Sequence, residues 1–343
     1  MNINQRIEII CKIGKFLKNY LDEKYDINKD HKLAEFEKII IKTQSINPWF
    51  TDENIKVNLT YWSEKLTKTN LKQWLNKYDL NNNSRKNIAI IMAGNIPLVG
   101  FHDFICVFLS GHNSIIKLSN NDKFILPFLT DLIKLPSERI VYSDSFLKDY
   151  DGVIATGSDN TSRYFDYYFK NKNSIIRKNR NSIAILDGEE SDCDLKSLSN
   201  DIFTYFGLGC RNVSKLYVPR NYNFDSFFNS IFSYKELINN HKYANNYDYN
   251  KAIYLMSEYK FLDNGFFIVI EGEEMHSPIS TINYEYYDNI SLLREKINQQ
   301  EDKIQCIVSN IEFKGKVDFG ETQNPSLNQY ADNMDVMNFL LTI

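Results

Sequence analysis

Apolar residues recur every three or four positions through the first eighty residues of the chain, the spacing of one buried face of an α-helix. The pattern is clearest from Ile3 to Leu21, and it returns from Leu33 to Ile40. Pro48 then interrupts it, and Thr51 is well placed to cap the next helix. We therefore predict a helical N-terminal region that ends at the polar run 81–84.

From residue 87 onward the pattern changes to short apolar runs that alternate with turns and helical segments. The first run is apolar at nearly every position, as in a parallel strand that is buried on both faces. Regular alternation of such strands with helices predicts a doubly wound parallel sheet. The predicted strands of this first series are 87–93, 114–118, 139–142, 152–155 and 182–186.

A second alternating series follows the acidic loop 187–194. Its first helix, 195–206, leads directly to Cys210. Two consecutive α/β series in a chain of this length indicate two domains. The other predicted helices of this series are 224–238 and 290–297, and its predicted strands are 215–218, 266–270, 279–282 and 305–308.

Composition narrows the class of protein. Hydrophobic residues make up 43% and charged residues 24% of the 343 residues, as is ordinary for a soluble globular protein. The net charge of -4 comes from acidic and basic residues mixed along the whole chain, which argues against a nucleic-acid partner. The sequence shows neither an apolar run of membrane-spanning length nor the apolar core of a signal peptide, so we expect a cytoplasmic protein.

Of the five cysteines, Cys210 is the candidate for a catalytic role. All five are scattered, without a Cys-x-x-Cys pair or a plausible zinc-ligand set, so reduced thiols and no bound metal are predicted. Cys210 differs from the others because Gly207 and Gly209 leave little side-chain bulk beside its thiol. We interpret Cys210 as a nucleophile that acts alone. The alternative is a buried, inert cysteine, which is the common state of a free thiol.

Four segments, taken in order, resemble the aldehyde dehydrogenase superfamily, and specifically its LuxC-type acyl-CoA (long-chain acyl-protein thioester) reductase branch. The first is Ala93–His112, which contains the turn Gly-Asn-Ile-Pro. The second is Ala155–Ser158, and the third is Gly207–Cys210. The fourth runs from Phe319 to Leu327 and is followed by Tyr-Ala-Asp at 330–332. Each is weak alone, but together they cover the chain from about residue 85 to its end in the family's order.

The resemblance implies an aldehyde-dehydrogenase-like α/β fold with a parallel-sheet cofactor domain, an α/β catalytic domain and a helical N-terminal region. Residues 1–190 are then the helical region and the dinucleotide-binding domain, and 191–310 form the catalytic domain that carries the nucleophile. Residues 311–343 are expected to return to the first domain and to serve oligomerisation. A homo-oligomer is accordingly expected.

The resemblance also implies two catalytic residues. In this superfamily a cysteine thiolate, here Cys210, attacks the acyl carbon, and an oxyanion develops. Asn95 matches the asparagine whose amide helps to hold that oxyanion, and losing one such donor typically costs about 10²–10³ in rate. The alternative for Asn95 is an ordinary turn asparagine that stabilises its own backbone.

Predicted cofactor-binding residues follow the second strand. Lys117 matches a lysine that reaches the adenosine ribose, and Ser119 is predicted to bind the cofactor beside it. Asn120 stands where many NAD-dependent relatives carry a glutamate, which would repel a 2′-phosphate. The neutral amide therefore favours NADPH. The alternative is that Lys117 and Asn120 are solvated residues at the end of a strand.

Two further segments match cofactor contacts. Gly157 and Ser158 open a helix, whose free N–H groups favour a phosphate, although Gly-Ser is also an ordinary start of a helix. Glu274 matches the residue that holds the nicotinamide ribose. That match is looser, because His276 and Ser277 replace an aromatic residue and a glycine of the family pattern.

One departure from the superfamily bears on the direction of the reaction. Arg177 stands where the general-base glutamate of aldehyde oxidisers is expected, and an oxidiser needs that base to activate water. A reductase does not need it. His102, one or two helical turns past Asn95, is either a helper acid or a core residue, and we favour the core interpretation.

The resemblance therefore implies NADPH-dependent reduction of an acyl-CoA or acyl-protein thioester, with a fatty acyl group. It also implies a partner acyl-protein synthetase or acyl transferase. Two other classes stay open: a cysteine-dependent thioesterase or acyltransferase that does not use nicotinamide, and a non-catalytic scaffold. Cofactor binding and acyl labelling would distinguish these classes.

Overall fold

A computed structural model describes residues 1–22, 24, 30–80, 84–145, 147–157 and 159–343. Contacts divide the chain into two units. The first unit comprises Met1–Lys178 together with Ser326–Ile343, and the second comprises Asn179–Pro325. The predicted boundaries after residues 190 and 310 therefore differ from this division, and the predicted C-terminal segment is shared between both units.

Four helices open the first unit, as the spacing of apolar residues predicts. They are α1 (Ile3–Leu21), α2 (His31–Ile46), α3 (Asp52–Lys65) and α4 (Lys68–Leu75). The predicted cap is confirmed, because the Thr51 side chain accepts a hydrogen bond from the Asn54 N–H. The polar run predicted to end this region falls at 81–84, of which residues 81–83 lie outside the described residues.

A parallel sheet of five strands forms the centre of the first unit. Its strands run in the order β3-β2-β1-β4-β5, and all neighbouring pairs are parallel. The elements of this part are β1 (Asn87–Ile91), α5 (Phe101–Ser110), β2 (Asn113–Lys117), α6 (Ile125–Leu132), β3 (Ile140–Tyr142), β4 (Gly152–Thr156), α7 (Asp159–Tyr168) and β5 (Asn173–Arg177).

Helix α5 lies at the core of this unit, and all but one of its residues are buried. It ends at Gly111, whose left-handed φ of 95° is typical of a glycine that terminates a helix. Buried residues of α1, α3, α5 and the sheet belong to one continuous apolar cluster. The cluster therefore joins the N-terminal helices to the five-stranded parallel sheet within a single unit.

The second unit contains a seven-stranded sheet in the order β12-β11-β6-β7-β10-β9-β8, in which only the β8–β9 pair is antiparallel. Its elements are β6 (Asn181–Ile185), α8 (Asp192–Phe203), β7 (Val213–Pro219), α9 (Asp225–Ile231), α10 (His241–Met256), β8 (Phe261–Asp263), β9 (Ile268–Glu271), β10 (Thr281–Tyr287), α11 (Ile290–Asn298), β11 (Ile304–Val308) and β12 (Lys316–Val317). The chain then returns to the first unit, where α12 (Val336–Thr342) packs against α5.

Three features differ from the sequence-based expectation. The predicted strand 182–186 is β6 and belongs to the second sheet, because its partners are β7 and β11. Helix α8 ends at Phe203 instead of 206, and a short 3₁₀ turn follows it. Strands β5, β8 and β12 and helices α10 and α12 were not predicted. Among the described residues, no helix combines the length and the apolar character that crossing a bilayer requires.

Candidate active site

The predicted cofactor residues of the first unit lie at one edge of its sheet. Lys117 is the last residue of β2, the segment with Asn95 follows β1, and Gly157 directly follows β4. Because β2, β1 and β4 are parallel neighbours, these positions lie at adjacent carboxyl ends. The strand order reverses between β1 and β4, and open α/β sheets bind ligands in the crevice outside such a reversal.

Gly94 brings the Asn95 turn against the loop that follows β2. A Cβ at Gly94 would lie 2.5 Å from Ser119 Oγ and 2.6 Å from its Cβ, so this approach requires a glycine. Ser119 Oγ also accepts a hydrogen bond from the Asn121 N–H at 3.3 Å. Asn95 is exposed on its turn. The structure thus places two predicted residues, Asn95 and Ser119, on loops that contact each other.

Asp122 ties the same two loops together. Its Oδ2 accepts the Leu98 N–H at 2.7 Å. Leu98 has a φ of 52°, in the left-handed region that leucine rarely adopts. Asp122 is buried, and desolvation raises its pKa to about 6, although the bond from Leu98 opposes the rise. A buried carboxylate therefore holds a strained backbone just after Asn95.

Gly157 allows α7 to pack closely on the end of β4. A Cβ at Gly157 would lie 3.0 Å from Thr161 Cβ and 3.1 Å from a ring carbon of Phe165. Ser158, the other residue predicted for this turn, lies outside the described residues. The described part of the turn fits the tight strand-to-helix connection that dinucleotide sites use.

Arg177, at the position where a general base is expected by resemblance, forms a buried ion pair with Asp103. Its two terminal nitrogens donate to the two Asp103 carboxylate oxygens at 2.6 and 2.7 Å. The two side chains are only 7% and 3% exposed. Burial alone would lower the pKa of Arg177, but the Asp103 carboxylate outweighs it and raises that pKa. The guanidinium therefore stays charged, and both carboxylate oxygens are engaged.

His102 belongs to an aromatic cluster. Its ring stacks against Trp74 at 5.3 Å and Trp62 at 6.3 Å, measured between centroids. Its Nε2 lies 3.0 Å from the Leu327 carbonyl oxygen, to which it donates. Desolvation lowers the pKa of His102 to about 4, although Asp103 opposes the shift. The imidazole is neutral near pH 7, which favours the core interpretation over a helper acid.

In the second unit, Cys210 follows a turn with left-handed backbone. After α8 the chain forms the 3₁₀ turn Thr204–Gly207. Within it Tyr205, Phe206 and Gly207 have φ values of 56°, 57° and 77°. A non-glycine residue in this region costs about 1–3 kcal/mol, so the surroundings must hold the turn in place. The buried side chains of Tyr205 and Phe206 supply part of that anchoring.

Asn212, two residues after Cys210, also anchors this turn. Its Oδ1 accepts the Gly209 N–H at 2.8 Å. Its Nδ2 donates to the carbonyl oxygens of Asp201 at 3.0 Å and Thr204 at 2.8 Å. Asn212 is 2% exposed, so these bonds are shielded from water. One buried amide thus connects the end of α8 to the residue before Cys210.

Further bonds fix the backbone around the thiol. Ser182 Oγ donates to the Cys210 carbonyl oxygen at 2.9 Å, and Arg211 Nε donates to the Thr322 carbonyl oxygen at 2.5 Å. Thr322 in turn donates to Asp201 through its N–H and its hydroxyl. Desolvation raises the pKa of Asp201 to about 6, against the effect of these bonds. Thr322 therefore ties its segment of the second unit to the Cys210 loop, whose cysteine is half-buried.

The exposed residue Glu274 lies on a segment that β7 and β10 hold in place. Asn283 Nδ2 donates to the carbonyl oxygens of Glu274 at 3.1 Å and His276 at 3.0 Å. Ser277 Oγ accepts the Asn283 N–H at 2.7 Å and donates to the Ser214 carbonyl oxygen at 2.6 Å. Ser277 and His276, the two departures from the family pattern, thus take part in positioning Glu274.

A buried lysine anchors the start of that segment. Lys215 in β7 is fully buried, donates to the Gly272 carbonyl oxygen and lies 3.3 Å from a Glu285 carboxylate oxygen. Desolvation lowers the pKa of Lys215, whereas Glu285 opposes the shift. Lys215 therefore fixes the residue that precedes the two glutamates of the segment.

The predicted residues fall into two groups. Asn95, Lys117, Ser119 and Gly157 share one sheet edge in the first unit. Cys210 and Glu274 lie in the second unit, on segments that flank the start of β7. Sequence reasoning gave no role to Asp122, Asn212 or Asn283. No local sequence pattern marks these three residues, because their hydrogen bonds form only in the folded loops.

Comparison with known proteins identifies solved structures that have a similar fold. No protein-family model matches the sequence, and no curated protein matches it. Aldehyde dehydrogenase 21 from Physcomitrella patens, solved with the reaction product succinate, is 12% identical with a TM-score of 0.70 over 100% of this chain and 84% of that chain. An indole-3-acetaldehyde dehydrogenase from P. syringae, solved with NAD+ and IAA, is 12% identical with a TM-score of 0.65 over 92% and 74%.

A third solved structure, the NAD+ complex of an aldehyde dehydrogenase from Bacillus cereus, is 13% identical with a TM-score of 0.61 over 90% of this chain and 72% of that chain. The fold is thus aldehyde-dehydrogenase-like, with a parallel first sheet, a mixed second sheet and added helices, which confirms the predicted fold class. Likeness at such low identity shows the fold alone.

Proposed function

We propose that this chain reduces acyl thioesters to aldehydes with NADPH, through an acyl intermediate on Cys210. The observation that carries the proposal is the buried Arg177–Asp103 pair within an aldehyde-dehydrogenase-like fold. Arg177, which matches the position of the oxidisers' base by sequence resemblance, is a cation whose partner carboxylate is fully engaged. A thiol without a water-activating base suits reduction of a thioester better than oxidation of an aldehyde.

Cys210 and Asn95 would carry the acyl-transfer step. The Cys210 thiolate adds to the thioester carbonyl carbon, and the Asn95 amide donates to the oxyanion that develops. The bond between that carbon and the carrier sulfur then breaks, and the carrier leaves as a thiol after taking up a proton. The held backbone on both sides of Cys210 orients the thiol without further ordering during the reaction.

The nicotinamide cofactor would lie at the carboxyl ends of β1, β2 and β4. The residues fit it, because Gly94 and Gly157 permit the tight turns that follow β1 and β4, and Lys117 supplies a positive charge. Ser119 and Glu274 are the further proposed contacts, and Ser158 lies outside the described residues. When bound, the cofactor supplies the hydride that reduces the acyl carbon. Cys210 then leaves that carbon as a thiolate, and the aldehyde is released.

NADPH is proposed over NADH because of the charge pattern after β2. Asn120 is exposed and neutral, and the nearby carboxylate of Asp122 is buried against Leu98 instead of facing solvent. A 2′-phosphate would therefore meet Lys117 without a repelling carboxylate. Steady-state kinetics with both cofactors test this, and Asn120→Glu should move the preference toward NADH. A clear NADH preference of the unmodified protein would overturn the cofactor proposal.

The proposed substrate is a fatty acyl group on coenzyme A or on a protein thiol. An acyl-protein synthetase or acyl transferase is the proposed partner that supplies it. These choices rest on the resemblance of segments 93–112 and 319–327 to the LuxC branch.

The decisive experiment measures acyl-CoA-dependent oxidation of NADPH across chain lengths, with trapping of the aldehyde. Cys210→Ala should abolish aldehyde formation and covalent labelling by a radiolabelled acyl-CoA, while quenching of NADPH fluorescence persists. Cys193→Ala is the matched control, because Cys193 is an exposed free cysteine of the same unit. Equal labelling of the Cys210→Ala variant would remove Cys210 from the nucleophile role. Labelling without any NADPH binding would instead indicate a thioesterase or acyltransferase.

A further inference from the structure

We propose that α2, a helix of the N-terminal region, contributes to the site that holds the 2′-phosphate of NADPH. The contacts come from Lys42 on α2 and from Lys123, which lies between β2 and α6. The segment 117–124, from the last residue of β2 to the residue before α6, is called the β2–α6 loop. Both lysines act on the NADPH of the proposed function, on which this inference rests, and the resemblance assigns a role to neither.

Helix α2 packs against α6, which directly follows the β2–α6 loop. Phe36 of α2 contacts Phe128 of α6, with the ring centroids 5.0 Å apart. At the end of α2, Asn47 is 4% exposed, and its Nδ2 donates to the Asn121 carbonyl oxygen in the loop at 3.5 Å. These two contacts hold α2 beside the loop, so the side chains on this part of the helix can take part in a site there.

Two lysines meet at the ring of Phe124, the last residue of the loop. Lys42 Nζ lies 4.2 Å from the ring centroid, and Lys123 Nζ lies 5.6 Å from it. Both lysines are exposed, and neither forms an ion pair within the part of the chain that the structure describes. Two like charges beside one ring repel each other, and an anion that contacts both offsets this repulsion.

The place of Lys123 in the chain suits the ribose that carries the 2′-phosphate. Lys117 is the residue matched to the adenosine ribose, and Asn120 stands where relatives carry a repelling glutamate. Lys123 follows Asn120 by three residues, so their Cα atoms are at most about 11 Å apart. A turn closed by the Asp122 N–H and the Ser119 carbonyl oxygen at 3.1 Å shortens this distance. The flexible four-carbon stem of lysine can bridge the remainder.

The single carboxylate of the β2–α6 loop does not oppose an anion at this place. Asp122 is 8% exposed, and its Oδ2 accepts the Leu98 N–H at 2.7 Å, so the carboxylate is directed into the protein. Helix α6 begins at Ile125 without a hydrogen bond from a capping side chain. The positive end of its dipole therefore favours an anion as well, in the same direction as the two lysines.

The two lysines also have a purely structural alternative, in which they only cover Phe124. Exposed cation–π contacts of this kind stabilise a fold slightly. Substitution would then affect every adenosine ligand equally. A phosphate contact, in contrast, affects only ligands that carry the 2′-phosphate, and this difference defines the test.

The test is direct binding of adenosine 2′,5′-bisphosphate and of 5′-AMP to the full chain, measured by isothermal titration calorimetry without substrate. The unmodified protein should bind the bisphosphate more tightly. Lys42→Gln and Lys123→Gln should each weaken bisphosphate binding about tenfold, since each removes a hydrogen bond between charged groups, and should leave 5′-AMP binding unchanged. Lys42→Arg should retain most of the affinity. Lys72→Gln on α4 is the matched control, because Lys72 is equally an exposed lysine of the N-terminal region, and it should change neither affinity.

The outcomes separate this inference from the rest of the proposed function. An unmodified protein that binds the bisphosphate no more tightly than 5′-AMP would overturn both the NADPH preference and the role of the two lysines. A preference for the bisphosphate that survives in both Gln variants would overturn the role of the lysines alone. Neither readout needs thioester reduction, so failure of the reductase proposal would leave the binding result valid. Circular dichroism of each variant checks that it is folded.

Discussion

Removing the positive charge of Arg177 should strongly destabilise the first unit. Arg177→Gln leaves the Asp103 carboxylate, whose side chain is 3% exposed, buried without its cation. Breaking a buried ion pair from one side typically costs about 3–5 kcal/mol, because the remaining charge is uncompensated. The bidentate bonds at 2.6 and 2.7 Å place this pair at the upper end of that range.

The double variant Arg177→Gln/Asp103→Asn removes both charges and should recover much of the loss. The coupling between the two positions follows from a double-mutant cycle, with the free energy of unfolding measured in urea at pH 7. Lys178→Gln is the matched control. Lys178 forms a 3.2 Å ion pair with Asp166, but it is 61% exposed and should change stability by less than about 1 kcal/mol. An Arg177→Gln effect as small as this control would refute the reasoning.

The Arg177–Asp103 ion pair determines which variant can test the direction of the reaction. Arg177→Glu alone would bury two carboxylates together, so it should destabilise the protein before any new base could act. Arg177→Glu/Asp103→Asn keeps one carboxylate and is the informative variant. It should increase the release of free acid from aldehyde and NADP⁺ without thiol, since a positioned base is typically worth about 10²–10⁴-fold. Rapid release of free acid by the unmodified protein would show that another residue acts as the base that activates water.

Three further outcomes follow from the site. Asn95→Ala should lower turnover about 10²-fold with little change in cofactor affinity, as steady-state kinetics would show, and full activity would leave Asn95 as a turn residue. Asn212→Ala should lower the free energy of unfolding by about 2–3 kcal/mol, because it leaves buried backbone groups without their partner, while exposed Asn298→Ala should not, as urea unfolding would show. Asp122 has a folded-state pKa raised to about 6, so its ionisation costs stability as pH rises from 4 to 6. Asp122→Asn should therefore stabilise the protein at pH 8 by on the order of 2 kcal/mol and change little at pH 4, in urea unfolding at both pH values.

Most elements could be predicted because their apolar residues carry a clear period. Strand β5 escaped prediction since only two of its five residues, Ile175 and Ile176, are apolar. Helix α10 escaped because its tyrosines and asparagines occur on both faces, so no single stripe is visible. Strand β6 was predicted, but its sheet was not, because pairing with β7 and β11 depends on contacts distant in sequence.

In the candidate site, too, the sequence indicates some residues, whereas others are recognised only in the folded structure. Cys210 and Asn95 are visible in the sequence because glycines surround the first and a strand-to-turn change precedes the second. The role of Asn212 is not visible, since its amide bonds residues from 201 to 209 only once α8 has ended in a left-handed turn. The partner of Arg177 lies 74 positions away, and no local pattern connects the two.

The division of the chain has a consequence for its biosynthesis. The second unit is continuous, from Asn179 to Pro325, whereas the first is completed only by the segment Ser326–Ile343. That segment includes the Tyr330 hydroxyl, which accepts the Trp74 indole N–H at 2.9 Å, and α12 against α5. At a translation rate of about 5–20 residues per second, the ribosome needs on the order of ten seconds to make the insertion. During that time α5 lacks its last covering helix, so the nascent first unit presents apolar surface to chaperones. The second unit is the part that can finish folding first.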